Sequence, residues 1–206
     1  MALKTLTLVS KINNLSDARY CAGMGVDIIS FVLTQGQEGY IAPAALNDIA
    51  GWVAGVQIAG EFYDSPAEEI NELAETCNLS QALLTATYLL DELTSINIPV
   101  IQQLTIKKDT IEEEFIRYLQ VYKVHVDSFL IVSDDFKTID DTIIPFLKDI
   151  TSQFRIILGF GLNKDNILSV IEQVNPTGIA LKGGQEIKPG LKSFDDLADV
   201  LELLED

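Results

Sequence analysis

The chain has 206 residues, 48% of them hydrophobic, which is ample for one sizeable core. Its 14 Lys and Arg stand against 31 Asp and Glu, a net charge of −17 that argues against nucleic acid or an anionic membrane as partner, since both need clustered cations. No basic N-terminal segment leads into an apolar stretch, and no apolar run is long enough for a membrane span, so a soluble, cytoplasmic protein is expected.

Apolar strand-like runs alternate with amphipathic helical runs from end to end. The first strand is expected over residues 5–10. A helix follows over 15–24, with Ala18, Cys21 and Ala22 on its inner face and Gly25 as its stop. The second strand covers 27–33 and the second helix 43–52. The third strand covers 55–62. Its helix starts near Ser65, with Pro66 in the first position and Glu68 and Glu69 in the first turn, where the helix dipole favours acid. A fourth strand is expected over 81–85, although Ala and Leu there also suit a helix, and a short helix over 88–95. Strand 99–104 precedes helix 110–122, and strand 128–133 precedes helix 138–151. After strand 155–158 a helix opens with Asn163 as cap, and Ile167, Leu168, Val170, Ile171 and Val174 follow at helical spacing. After strand 177–181 the last helix is capped by Ser193 with Asp196 three residues on, a variant of the capping box. Its apolar stripe is Leu197, Val200, Leu201 and Leu204.

Eight strand–helix units with no linker imply an α/β fold with a parallel eight-stranded closed sheet, a (β/α)₈ TIM barrel, as a single domain over residues 1–206. The functional face of such a barrel is formed by the C-terminal ends of its strands. Two glycine turns fall there, each expected between a strand and a helix: Gly159 and Gly161, then Gly183 and Gly184. Glycine turns feeding helix N-termini after the last two strands are how these barrels hold phosphate. Gly159, Gly161, Lys182, Gly183 and Gly184 are therefore the candidate phosphate-binding residues, the alternative being tight turns and nothing more.

Other polar groups expected near the strand ends are Ser10, Glu61, Thr85, Gln102, Gln103, Ser133, Asp134 and Asp135. Asp134 is the best single candidate for an acid, against the alternative of a solvated loop aspartate; Glu61 is a candidate second carboxylate. His125 falls before the sixth strand, on the stability face, and Trp52 is expected to pack against the barrel. Cys21 and Cys77 read as buried thiols. No metal-ligand spacing is present, and neither a metal nor a cofactor is expected. The acidic runs at 112–114 and 140–141 read as solvated helix faces.

Several segments resemble phosphoribosylanthranilate isomerase, the tryptophan-pathway barrel enzyme. Asn14, Leu15, Ser16, Asp17, Ala18 and Arg19, then Gly23, Gly25, Asp27 and Phe31, look like that family's first helix and second strand. The segment Gly39 to Pro43 is similar to its Arg-Tyr-Val-Ser-Pro type segment, Leu158 to Asn163 with Asn166 to its Ala-Gly-Gly-Leu turn, and Gly183 to Glu186 with Pro189, Gly190 and Lys192 to its Ser-Ser-Gly-Val-Glu loop. The resemblance implies a small phosphorylated metabolite as ligand. The family reaction, an Amadori rearrangement of a phosphoribosyl amine, takes an acid for the ring oxygen and a base for the C2′ proton. The departures fall on those groups. The family's Cys base, in a Lys-Ile-Cys-Gly segment, aligns without gaps on Ser10, or with a gap on Asn13. Its Asp acid aligns on Val132, and a two-residue shift would supply Asp134. Its Arg falls on Gly39, its Gln-Leu-His-Gly segment on Leu83 to Ala86, and an Asp of the eighth strand on Ala180. Phe160 replaces a glycine and Lys182 a serine beside the expected phosphate space. Ser10 and Asp134 are thus weak catalytic candidates. Three functions are consistent with this pattern: a divergent relative with a remnant phosphosugar site, an active isomerase with substituted groups, and a non-catalytic binding or scaffold barrel.

Overall fold

The computed structural model describes residues 3–183, 185–188, 191–193 and 195–205. Eight parallel strands close into a barrel in chain order: β1 (Leu6–Ser10), β2 (Ile28–Val32), β3 (Gln57–Phe62), β4 (Gln81–Leu84), β5 (Val100–Thr105), β6 (Ser128–Val132), β7 (Ile156–Leu158) and β8 (Gly178–Lys182). Closure is made by β8 against β1, from Leu6 opposite Gly178 to Ser10 opposite Lys182. The helices α1 (Leu15–Gly23), α2 (Pro43–Ala50), α3 (Ala67–Cys77), α4 (Leu90–Thr94), α5 (Glu112–Tyr122), α6 (Ile144–Gln153) and α7 (Ile167–Val174) alternate with the strands.

Both faces of the sheet are covered, which is why the strands read as continuous apolar runs. All five residues of β2 are buried. Because side chains alternate along a strand, one set fills the barrel and the next set meets the helices. The interior layer takes one residue from each strand: Leu8, Ile28, Ala59, Leu83, Ile101, Leu130, Ile157 and Ala180. The alternate residues, among them Val9, Ile29, Phe31 and Phe62, pack outward with Ala18, Cys21, Leu46, Ile70 and Cys77 of the helices. Both cysteines are buried, and neither is in a disulfide. The fourth strand, compatible with helix by composition, is held in strand form by pairing with β3 and β5, and all four of its residues are buried.

Helix starts differ from expectation for local reasons. Pro66 is the residue before α3 and not its first helical residue. The sixth helix begins at Ile144, not near 138, because Asp140 first closes a turn by accepting from the Thr142 amide at 3.0 Å, and Pro145 then suits the first helical turn. The seventh begins at Ile167. Asn163 opens the turn before it, its side chain accepting from the Asp165 amide at 2.9 Å and its carbonyl from the Ile167 amide at 3.0 Å. The chain after β8 departs most. In place of a loop leading to the last helix, an antiparallel pair follows, β9 (Gln185–Lys188) and β10 (Leu191–Ser193), before α8 (Asp195–Leu204). Ser193 ends β10, and the side chains of the expected capping pair Ser193 and Asp196 lie outside the described residues. The stripe Leu197, Val200, Leu201 and Leu204 is buried as its spacing implies.

Trp52 does not pack against the barrel. It follows the C-terminal end of α2, past the last turn that α2 buries through Leu46 and Ile49, and is 71% exposed. His125 sits in the turn before β6, its amide donating to the Tyr122 carbonyl at 2.9 Å, on the face opposite the strand C-termini.

Candidate active site at the barrel mouth

Two residues beyond the interior layer on each strand stand Ser10, Ser30, Glu61, Thr85, Gln103, Val132, Gly159 and Lys182. By the two-residue period these project toward the barrel axis at the C-terminal mouth. Two members of this ring are ionisable, Glu61 from β3 and Lys182 from β8. Val132 packs against the interior layer and offers no proton chemistry.

Glu61 is 2% exposed. Its side chain reaches inside the barrel past β2, where Oε1 accepts from the Ser30 hydroxyl at 2.7 Å and from the Lys11 amide at 2.7 Å. One carboxyl therefore ties the ends of β1, β2 and β3. Burial pushes its pKa above the ordinary carboxylate value, opposed by the Ser30 and Lys11 hydrogen bonds and by the Lys11 charge. Lys11 itself holds φ at 58°, a left-handed conformation that L side chains rarely take. It directly follows Ser10, and in the ungapped match to Lys-Ile-Cys-Gly the family glycine falls there. Ser30 was not legible as a site residue. The signal was present all the same: a single serine inside an apolar strand, with no polar role unless a neighbour on the same face needs a donor.

The other expected residues divide plainly. Ser10, at the end of β1, is half-buried, its hydroxyl donating to the Leu181 carbonyl at 3.4 Å. Thr85 donates to the Phe62 carbonyl at 3.1 Å. Gln103 joins Thr85, Thr105, Phe115 and Tyr118 around a recess of about 590 Å³ on the β4–β5 side of the mouth. Gln102, one residue earlier, faces away from the ring and is fully buried. Its amide nitrogen donates to the carbonyls of Leu84, Ala86 and Gln103, a clamp on the strand ends. Ser133 is used up by nearby backbone, donating to the Ile106 carbonyl at 2.8 Å and accepting from the Asp135 and Phe136 amides. Asp135 accepts from the Lys108 amide at 3.1 Å, outside the ring. Asp134 is exposed in the loop after β6.

At the first glycine turn the ring of Phe160 is buried among Ile106, Ile139 and Ile143 and faces the Phe136 ring at 6.2 Å. It points outward from the barrel, as its place one residue beyond the inward Gly159 requires. Gly161 takes φ of 63°, and a Cβ there would come within 2.9 Å of the Ile139 amide nitrogen. The Asn166 side-chain amide donates to the Gly161 carbonyl at 2.7 Å while its Oδ1 accepts from the Asn163 amide at 2.8 Å, which fixes the turn. Two of the glycines named from sequence have committed amides: Gly159 donates to Ile131 at 2.8 Å and Gly183 to Ser10 at 2.9 Å, both extending the barrel ladder. Lys182 is exposed at the mouth, and Gly184 lies outside the described residues.

Gly39, on which the family arginine falls, takes φ of 85° in a loop that folds back so that Ile41 bonds to the Val32 carbonyl. Among the described residues no group of three or more His, Cys, Asp or Glu could hold a metal ion, and no helix is long and apolar enough to cross a membrane.

Residues 11–203 match the family model for N-(5′-phosphoribosyl)anthranilate isomerase. The chain is 28% identical to the N-(5′-phosphoribosyl)anthranilate isomerase of Geobacter metallireducens over 94% of each chain. It is also 28% identical to that of Thermotoga petrophila, covering 90% of this chain and 91% of the relative. A phosphoribosyl anthranilate isomerase solved with reduced 1-(o-carboxyphenylamino)-1-deoxyribulose 5-phosphate superposes with a TM-score of 0.78, at 25% identity over 96% of this chain and 97% of that one. The matched span takes in β2 to β8. The chain belongs to the N-(5′-phosphoribosyl)anthranilate isomerase family.

Proposed function

We propose that this barrel is a divergent member of its family that binds a small phosphorylated sugar derivative in the cytoplasm, without the Cys base and Asp acid of the family pattern. One observation carries the phosphate half of this proposal. Phe160 packs into the outer core with Ile139, Ile143 and Phe136, so its ring does not point to the mouth, where Lys182 is exposed. The Lys182 ammonium and the turn at Gly161 supply the positive end of an anion site in a chain whose overall charge is unfavourable to anions. The loss of the family acid–base pair rests on Ser10 and Val132, which occupy the mouth positions of β1 and β6.

Titration calorimetry with ribose 5-phosphate against unphosphorylated ribose tests the binding. Ribose 5-phosphate is expected to bind and ribose is not, and Lys182→Met weakens the phosphorylated ligand by roughly 10–100-fold, the worth of one charge-assisted contact. Equal affinity for the two sugars would refute a phosphate site. Retention of the family's own isomerisation is a second function, favoured by the buried carboxyl of Glu61 at the mouth. Rescue of a tryptophan auxotroph lacking the isomerase decides it.

A further inference from the structure

We propose that Glu61 is the proton-transfer group of this barrel, performing from one position on β3 the acid and base steps that the family pattern divides between the ends of β1 and β6. The inference rests on the phosphosugar function proposed above. Glu61 is the one carboxyl in the ring of mouth residues. Both of its hydrogen-bond donors, the Ser30 hydroxyl and the Lys11 amide, converge on Oε1 at 2.7 Å. Among the described residues Oε2 accepts no hydrogen bond, and it is not one of the sealed polar oxygens without a partner, as Gln102 Oε1 is. One oxygen is thus anchored while the other keeps contact with the mouth, which is the arrangement a proton-exchanging carboxyl needs.

The groups facing Glu61 set its protonation. From the β1 side come the Lys11 amide and charge, and from β2 the Ser30 hydroxyl. The register partners Val32 and Leu83 on the flanking strands are apolar. Burial raises its affinity for a proton, so the acid form persists further toward neutral pH than for a solvated glutamate. The holding geometry is made by the left-handed backbone of Lys11, which aims its N–H into the barrel.

On a phosphoribosyl amine the steps balance with this single group. Protonated Glu61 gives its proton to the ring oxygen, the C1′–O bond breaks, and the nitrogen lone pair forms a C1′=N iminium. The carboxylate then takes the C2′ proton, and that electron pair forms C1′=C2′ as the nitrogen regains its lone pair. The recovered proton goes to C1′ while the C2′ hydroxyl proton returns to Glu61 and leaves a ketone. No oxidant, metal or second reactant enters.

The test uses the full chain with two probes. Binding of reduced 1-(o-carboxyphenylamino)-1-deoxyribulose 5-phosphate is measured by calorimetry, and turnover of N-(5′-phosphoribosyl)anthranilate by fluorescence in D₂O, with deuterium at C1′ of the product read by mass spectrometry. Expected results are binding and turnover by the native chain, and a Glu61→Gln variant that binds with unchanged affinity but turns over about 10²–10⁴-fold more slowly. The amide oxygen of the variant still accepts from Ser30 and Lys11, so its fold is retained, as a thermal melt verifies. Ser30→Ala, which removes a donor to the carboxylate, is expected to move the alkaline limb of the rate profile to higher pH. Absence of binding overturns the phosphosugar function and this inference with it. Binding without turnover by the native chain, or full turnover by Glu61→Gln, overturns the role of Glu61 alone.

Discussion

The amide of Lys11 donates to Oε1 of Glu61 at 2.7 Å, joining the end of β1 to the end of β3 through the inside of the barrel. This contact spans 50 positions in sequence and crosses the intervening strand, which contributes Ser30 to the same oxygen. It places a titratable group where burial, not a counter-charge, governs its behaviour.

The stability of the chain should carry the signature of that burial. The folded pKa of Glu61 lies above its ordinary value of 4.5. A raised acid favours the native state below the unfolded value, and its contribution is lost as pH rises through the folded value. Glu61→Gln, which keeps both hydrogen bonds and removes the charge, is therefore expected to melt at a higher temperature than the native chain at pH 7. The two should converge below about pH 4, near the unfolded value. Calorimetric melts across that range check the sign.

Gly161→Ala should cost about 1–3 kcal/mol, the penalty of a strained backbone position. Two effects add there: φ of 63°, and a new Cβ within 2.9 Å of the Ile139 amide nitrogen. Urea unfolding gives the value. Gly23→Ala, where an added Cβ meets no atom within 4 Å and φ is not left-handed, is the control and should not be destabilising.

Phe160→Ala removes a buried ring and should destabilise by about 3–5 kcal/mol. Because that ring faces Phe136 and not the mouth, the affinity for ribose 5-phosphate is expected to stay within about twofold wherever the variant remains folded, a change well below the 1.4 kcal/mol that marks a factor of ten. A clear gain in affinity would mean that the ring occupies the phosphate space.

Tyr88 supplies an alkaline probe. Its hydroxyl donates to the Ser65 carbonyl at 2.8 Å, and burial, with Asp64, Glu92 and Glu69 nearby, pushes its pKa up to about 12. The stability it contributes is present below its ordinary value of 10 and lost as pH rises from there through the folded value. Ultraviolet titration of the native chain should show a late phenolate near pH 12 that Tyr88→Phe abolishes, at a cost of about 1 kcal/mol for the lost hydrogen bond.

The barrel was legible because its signal is repeated: apolar runs in the strands and helical spacing between them. What failed was local competition. Asp140 and Asn163 each form a turn before a helix starts, and propensity does not register that. After β8 the Pro189-Gly190 dipeptide is a turn signal between two extended runs, and Gln185–Lys188 and Leu191–Ser193 pair as strands where the family resemblance implies a loop. The mouth was legible by position, since Glu61, Thr85, Gln103 and Lys182 all fall at strand ends. Their roles were not, because they depend on partners from other strands: Gln102 and Ser133 are consumed by nearby backbone, while Ser30, hidden in an apolar run, serves Glu61.

Trp52, the sole tryptophan, is 71% exposed and lies after α2, at the end of the barrel away from the mouth. Its emission starts red-shifted in the native state and changes little on unfolding or when a sugar phosphate arrives. Intrinsic fluorescence is therefore a nearly silent channel for this protein, and that silence is useful. A tryptophan placed at Phe160, against Phe136 and beside the Gly161 turn, would report over a constant background on the packing of that segment.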